Sequence, residues 1–289
     1  MVIIGCSHGI HLAKKIALSA KKPYAALAVE KFPDSETHLS FPVSVRGKEV
    51  VLVQSFYGCV NDCLVEVFFA AMTAKELGAK KVALVAPYFP YLRQDDRFYS
   101  GECVSLEVIA RYVDQSFDAI AIMDPHLHRE KSLKHIFRIP SSLSTANPLI
   151  AAYIKKYIRN AVIFGPDFES YRWAEATAKL IGCESATLRK TRYSSRKVKV
   201  ALNKKIDLGR SHVVIVDDII STGHTILETI KLLKGLGAKA ITCICVHGIF
   251  AEGALGKLQK AGATVVACNT IPNPVAKIDV STLLASALK

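Results

Sequence analysis

The sequence predicts an α/β protein of two similar domains, each a mostly parallel sheet flanked by helices. Three observations carry this. Short apolar runs alternate with amphipathic segments along the whole chain. The 289 residues are long for one compact core and comfortable for two. One strand–loop–helix–strand unit also occurs twice.

The strands are predicted at Val50–Val53, Lys81–Ala86, Ala119–Met123, Ala161–Phe164, Val213–Val216, Ile241–Val246 and Thr264–Cys268. These are short continuous apolar runs, as expected of strands buried on both faces. Amphipathic helices fit between them at Asp62–Leu77, Ser105–Val113, Leu149–Ile158, Tyr171–Ile181 and Thr225–Leu236.

The repeat pairs Val50-Val51-Leu52-Val53-Gln54-Ser55-Phe56 with Val213-Val214-Ile215-Val216-Asp217-Asp218-Ile219. Each is followed by a helix, ending in Leu77-Gly78-Ala79-Lys80 and Leu236-Gly237-Ala238-Lys239 respectively, and then by a strand. Such self-similarity marks two copies of one unit. The copies differ where chemistry would sit, because Gln54-Ser55 stands against Asp217-Asp218. A polar stretch at Ser144–Asn147, before a proline, sets the expected boundary, giving domains at 1–145 and 146–289.

A net charge of +13 suits anionic partners, whether nucleic acid or nucleotides and sugar phosphates. The cations are spread along the chain and form no long basic arm, zinc finger or RNP-type motif, which argues against nucleic acid. No apolar run is long enough for a membrane span. The start Met1-Val2-Ile3-Ile4-Gly5 carries no basic leader, so a cytoplasmic location is expected. The eight cysteines show no zinc-like pairing of C-x-x-C units. Cys59 and Cys63 lie one helical turn apart. Buried thiols in a reducing compartment are the expected reading, and a metal site the alternative.

The sharpest motif runs from Val213 to Thr225. A buried strand ends in Asp217 and Asp218, the loop Ser221-Thr222-Gly223 follows, and a helix begins at His224-Thr225. Loop amides, hydroxyls and a helix N-terminus make an anion site. Two carboxylates beside it would repel a lone phosphate. They fit if they grip the hydroxyls of an attached sugar, or a metal near it.

This stretch resembles the phosphoribosyl-diphosphate loop of the type I phosphoribosyltransferase fold. The resemblance implies that Ser221, Thr222, Gly223, His224 and Thr225 hold a 5-phosphate while Asp217 and Asp218 face ribose hydroxyls. His224 stands where a small residue is usual, and its side chain either points to solvent or adds a donor.

The first half resembles one branch of that fold, the ribose-phosphate pyrophosphokinases. Lys31-Phe32-Pro33-Asp34-Ser35-Glu36 and Ala86 to Asp95 look like the ATP-site signatures of that family. Ser44–Lys48 and Val60-Asn61-Asp62 sit in matching order, and the resemblance covers nearly the whole chain, including Asp279–Leu284 near its end. Phe32 can stack on a purine while Asp34 and Glu36, alternating on one face if extended, accept from its amino group and ribose. An exposed acidic turn is the alternative. Arg93 and Gln94, read as ending a strand, can fork onto phosphate and meet adenine or ribose, or else form a surface ion pair. Asp95 completes the set of ATP-binding residues.

By the same resemblance, Asp124-Pro125-His126 places His126 at metal and ATP phosphates, and Asp167 lies near a metal and the reactive sugar hydroxyl. Phe168-Glu169-Ser170 departs from the glycines usual after that Asp. Lys190 and Arg192, between two strand-like runs, match the family's catalytic Lys-x-Arg pair, with a solvated basic hairpin as the alternative. The implied reaction moves pyrophosphate from ATP to ribose 5-phosphate with Mg²⁺, in a homo-oligomer whose active sites are shared between subunits.

Overall fold

The computed structural model describes residues 1–97, 99–127, 132–166, 168–194, 197–202 and 206–288, with backbone alone for Phe168, Glu169, Arg172, 188–194 and 197–202. The chain divides into two compact units. The first holds Met1–Thr145, Thr270–Pro272 and Val280–Lys289, and the second holds Ala146–Asn269 and Asn273–Asp279. A single cut after residue 145 therefore misplaces the chain's end.

In the first unit the elements run β1 (Val2–Gly5), α1 (Ile10–Ala20), β2 (Tyr24–Ala26), β3 (Ala28–Lys31), β4 (Thr37–Ser40), β5 (Glu49–Val53), α2 (Val60–Glu76), β6 (Lys81–Ala86), α3 (Ser105–Ser116), β7 (Ala119–Met123) and β8 (Ser141–Ser144). The six-stranded sheet has the order β2-β1-β5-β6-β7-β8, and every neighbouring pair is parallel. β3 and β4 form a separate antiparallel ribbon.

The second unit runs α4 (Asn147–Tyr157), β9 (Ala161–Gly165), α5 (Phe168–Ile181), β10 (Ser185–Ser194), β11 (Lys197–Leu202), β12 (His212–Ile220), α6 (His224–Gly235), β13 (Ala240–Gly248), α7 (Ala254–Lys260), β14 (Thr264–Cys268) and β15 (Ala276–Ile278). Its seven-stranded sheet has the order β11-β10-β9-β12-β13-β14-β15. Only the β10–β11 pair is antiparallel among the described ladders of this sheet. The last helix, α8 (Ser281–Ser286), packs on α1, which is why the chain's end belongs to the first unit.

Without the edge strand β11, the two sheet orders superimpose strand for strand: β2-β1-β5-β6-β7-β8 on β10-β9-β12-β13-β14-β15. The repeat read from sequence is thus a repeat of topology. Both cores come from β-branched strand residues and the inward faces of helices. Ile4, Leu52, Leu84 and Ile122 pack in the first, and Phe164, Val213, Ile215 and Ile230 in the second. All are essentially inaccessible to solvent. In such sheets ligands bind beyond the carboxyl ends of the strands, where strand order reverses.

The long connection after β6 is fixed by its own apolar anchors. Phe89 is buried and meets Phe56 and Phe137 edge-on, at ring separations of 5.7 Å in each case. Phe56 N–H donates to the Tyr88 carbonyl (3.0 Å). Truncating Phe89 to Ala leaves a cavity under this loop, and the expected cost is about 3–5 kcal/mol. Urea unfolding of Phe89→Ala checks this, and a loss below about 1 kcal/mol would show that the loop is not anchored there.

Candidate active site

β12 is the central element of the second unit's site. It was expected to end before Asp217, but it runs on to Ile220. Its pairing with β9 stops at Ile215, whereas β13 pairs with it as far as Ile220↔Gly248. The two carboxylates therefore lie inside a projecting strand held from one side, both half-buried. Ser170 Oγ donates to Asp217 Oδ1 (2.9 Å), and Asp218 N–H donates to the same oxygen (3.1 Å). Ile219 N–H donates to Asp218 Oδ1 (2.7 Å). Three donors thus compensate charge on an acidic pair that would otherwise repel itself.

The thiols beneath respond to that charge. Burial, and then the Asp217 carboxylate, pushes Cys243 up to about 12. Cys245, paired with Asp217 across the ladder, is also raised well above a normal thiol, mainly by burial. Both stay neutral and add no further negative charge.

Beyond Ile220 the chain turns at Ser221 and Thr222, both half-buried, and enters α6 through Gly223. Gly223 adopts φ +72°, and a Cβ there would lie 3.3 Å from Ala254 Cβ. The Ile220 carbonyl accepts from Ile249 N–H and Phe250 N–H, at 3.0 Å each, which pins the start of the loop. His224 and Thr225 begin the helix and are exposed. Helix N-terminus, hydroxyls and carboxylates thus occur together as the sequence implied. Ser170, read only as part of a departure from pattern, turns out to orient Asp217. It lies 47 residues away, so no local spacing signalled it.

The expected acidic site residue Asp167 lies outside the described residues. Lys190 and Arg192 are described by backbone only. They fall within β10, opposite Val200 and Val198 of β11, so this segment is a hairpin strand and not a connecting loop.

In the first unit, Phe32, Asp34 and Glu36 sit on the tip of the β3–β4 ribbon. The expected extended face does not form. Ser35 takes φ +74°, Phe32 N–H donates to the Glu36 carbonyl (2.9 Å), and Glu36 N–H reaches Asp34 Oδ1 (3.3 Å). The tip is a closed turn with all three side chains exposed, Phe32 at 51%. Lys31, in the last ladder pair before the tip, pairs with Asp62 in the first turn of α2.

Arg93 and Gln94 do not end a strand either. β6 stops at Ala86, and both lie in the anchored connection that follows. Arg93 is exposed, while Gln94 Oε1 accepts from Ser105 Oγ (3.3 Å) at the start of α3. Asp95 Oδ2 is buried without a hydrogen-bond partner among the described residues. His126, half-buried, follows β7. It is preceded by buried Asp124, whose φ is +34° and whose N–H donates to the Ser144 carbonyl (2.9 Å).

Fold and loop together define a phosphoribosyltransferase-type protein. A family model described as the phosphoribosyl transferase domain matches residues 132–283. One described as the N-terminal domain of ribose phosphate pyrophosphokinase matches residues 1–116. The chain is 36% identical to a ribose-phosphate pyrophosphokinase of Methanothermobacter thermautotrophicus, over 100% of both chains. It is 33% identical to that of Pyrococcus furiosus, over 97% of each. A crystal structure of phosphoribosylpyrophosphate synthetase from Mycobacterium smegmatis superimposes with a TM-score of 0.86 at 26% identity, covering 99% of this chain and 97% of that one. The chain belongs to the ribose-phosphate pyrophosphokinase family.

The loop geometry makes one requirement sharp. Gly223→Ala forces a side chain into the left-handed region against Ala254, at an expected cost of about 1–2 kcal/mol. Equilibrium unfolding measures it, and an unchanged midpoint would show that the loop does not depend on this conformation.

Proposed function

We propose that this chain transfers the β,γ-pyrophosphoryl group of ATP to the 1-hydroxyl of ribose 5-phosphate, giving phosphoribosyl diphosphate and AMP. The observation that carries the reading is the acidic pair of β12 leading into the Gly223 loop, on a chain whose residues 1–116 match the N-terminal domain of ribose phosphate pyrophosphokinase. The sugar oxygen attacks the β-phosphorus and loses its proton. The bond from that phosphorus to the oxygen bridging it to the α-phosphorus breaks, and AMP leaves with the bridging oxygen. Such transfers need positioning and charge stabilisation more than covalent help.

Amides and hydroxyls from Ser221 to Thr225 hold the 5-phosphate, and Asp217 and Asp218 accept hydrogen bonds from the ribose hydroxyls. Phe32 stacks on adenine, with Asp34 and Glu36 accepting from its amino group and ribose. Arg93, Gln94 and Asp95 bind the nucleotide, and the unpartnered Asp95 oxygen supports this. His126 contacts the ATP phosphates. Lys190 and Arg192 meet the charge that spreads over the transferring group.

Mg²⁺ is the proposed cation, held by His126, Asp167 and the phosphates themselves. The clustered carboxylates Asp217 and Asp218 are the hard oxygen donors that suit such an ion near the sugar. When bound, it neutralises phosphate charge.

A homo-oligomer follows from the same reading, with the β3–β4 ribbon lending Phe32, Asp34 and Glu36 to a neighbouring subunit's ATP site. The separate ribbon and its exposed Phe32 support this. Among the described residues no helix is long and apolar enough to cross a membrane, and no disulfide forms. Both suit the cytoplasmic location we propose.

The test follows AMP release from ATP with Mg²⁺ and ribose 5-phosphate, and no added base. Lys190→Ala and Arg192→Ala should each lower kcat roughly a hundredfold or more, by analogy with loss of one preorganised donor. KM for ATP should change little. Absence of AMP release by the parent protein would refute the activity. A loss confined to KM, or none, would remove these two residues from catalysis.

A further inference from the structure

The turn between β1 and α1 brings a histidine onto the first turn of α2. Ser7 N–H and Oγ both donate to the Glu66 carboxylate, at 2.7 and 2.5 Å, and His8 N–H donates to Gln54 Oε1 (2.8 Å). Gly9 lies so close to β5 that a Cβ there would fall 1.7 Å from the Val53 carbonyl oxygen. The turn is therefore fixed in place. Cys59 caps α2 and Cys63 stands one turn further on, its N–H donating to the Cys59 carbonyl (3.1 Å).

His8 Nδ1 is 3.2 Å from Cys63 Sγ, and its Nε2 is 3.9 Å from Cys59 Sγ. One ligand atom from each of the three residues can be chosen so that all lie within 4.8 Å of one another. Tyr57 stacks on the imidazole at 4.3 Å and 20° between planes, which supports the ring from one side. Cys63 is buried, His8 half-buried and Cys59 exposed, so the cluster opens to solvent on one side only.

We propose that His8, Cys59 and Cys63 form a binding site for a thiophilic cation of the zinc class. Two sulfurs and an imidazole nitrogen are the donors such ions select, and three protein ligands leave a fourth position for water. Around tetrahedral zinc, adjacent sulfurs sit about 3.8 Å apart, given Zn–S bonds of about 2.3 Å. The ligand atoms lie no more than 4.8 Å apart, so closing takes a shift of roughly an ångström at most, within reach of the exposed Cys59 side chain. Only one imidazole nitrogen can ligate, so the ring must also turn from its present placement between the two sulfurs. Binding releases the thiol protons to solvent and needs no oxidant.

The site is independent of the proposed reaction, since none of its ligands belongs to the substrate-binding set. It does share the start of α2 with two contacts that hold the nucleotide segments. Asp62 pairs with Lys31 next to the ribbon's tip, and the Tyr91 hydroxyl donates to Asn61 Oδ1 (2.5 Å). A bound cation would tie the β1–α1 turn to that helix start.

The test uses the full-length protein, reduced and stripped of metal, and titrated with Co²⁺. One equivalent should bind with thiolate-to-cobalt charge-transfer absorption and visible bands of tetrahedral intensity, and one equivalent of Zn²⁺ should bleach both. Cys59→Ser and His8→Asn should each weaken binding by at least roughly ten- to a hundredfold, the loss typical even of groups that only support a ligand. Circular dichroism of both variants should match the parent. A spectrum without thiolate charge transfer overturns the proposal, and so does one that persists with equal affinity in Cys59→Ser.

Discussion

Two carboxylates held beside the Gly223 turn into α6 are the constraint around which the second unit's candidate site is arranged. Placed alone at a strand end, Asp217 and Asp218 would repel both each other and a phosphate. The protein meets this with geometry. β13 carries β12 beyond the last pair it makes with β9, so the acids stay on a rigid strand. Ser170 and two backbone amides donate to them, and the buried thiols below remain protonated. The left-handed Gly223 then turns the chain into α6 three residues after β12 ends. The proposed ribose 5-phosphate would satisfy both features at once, with hydroxyls for the carboxylates and phosphate for the loop.

The duplicated unit shows what this arrangement costs when it is not needed. At the matching place in the first unit, Gln54 and Ser55 are completely buried. Gln54 accepts from His8 N–H, and Ser55 Oγ donates to the Thr270 carbonyl. Neutral groups of similar size can be enclosed once each finds a partner, whereas paired carboxylates need solvent, cations or ligand hydroxyls. One topology thus supports a buried polar junction in one copy and a half-buried acidic edge in the other. The residues proposed to bind ATP lie elsewhere in the first unit, on the ribbon tip, in the connection after β6 and after β7.

Much of this was legible in the chain. The buried parallel strands announce themselves as unbroken Val- and Ile-rich runs, and all seven predicted strands form with ends shifted by a few residues at most. The strand–turn–helix from Val213 to Thr225 could be read because its residues are contiguous. What escaped was what folding alone brings together. Ser170 meets Asp217 across 47 residues, and His8 meets Cys59 and Cys63 across 51 and 55. Cys59 also proved exposed, because it caps a helix at the surface and does not sit in the core. The ribbon β3–β4 buries little, so it lacks the alternation that marks a half-buried strand, and its tip turns on a left-handed Ser35 that no composition rule singles out. Arg93 and Gln94 were displaced from the end of β6 because aromatic anchors such as Phe89 reach the core from within irregular chain.

The most direct test of the account is calorimetric titration of ribose 5-phosphate into the Asp217→Asn, Asp218→Asn double variant. Asparagine keeps the shape and removes the charge. A hydrogen bond to a charged group is worth about 1.5–3 kcal/mol, so the affinity should fall at least roughly tenfold, while urea unfolding shows the fold retained. Affinity equal to the parent protein's would contradict the claim that this acidic pair grips the sugar.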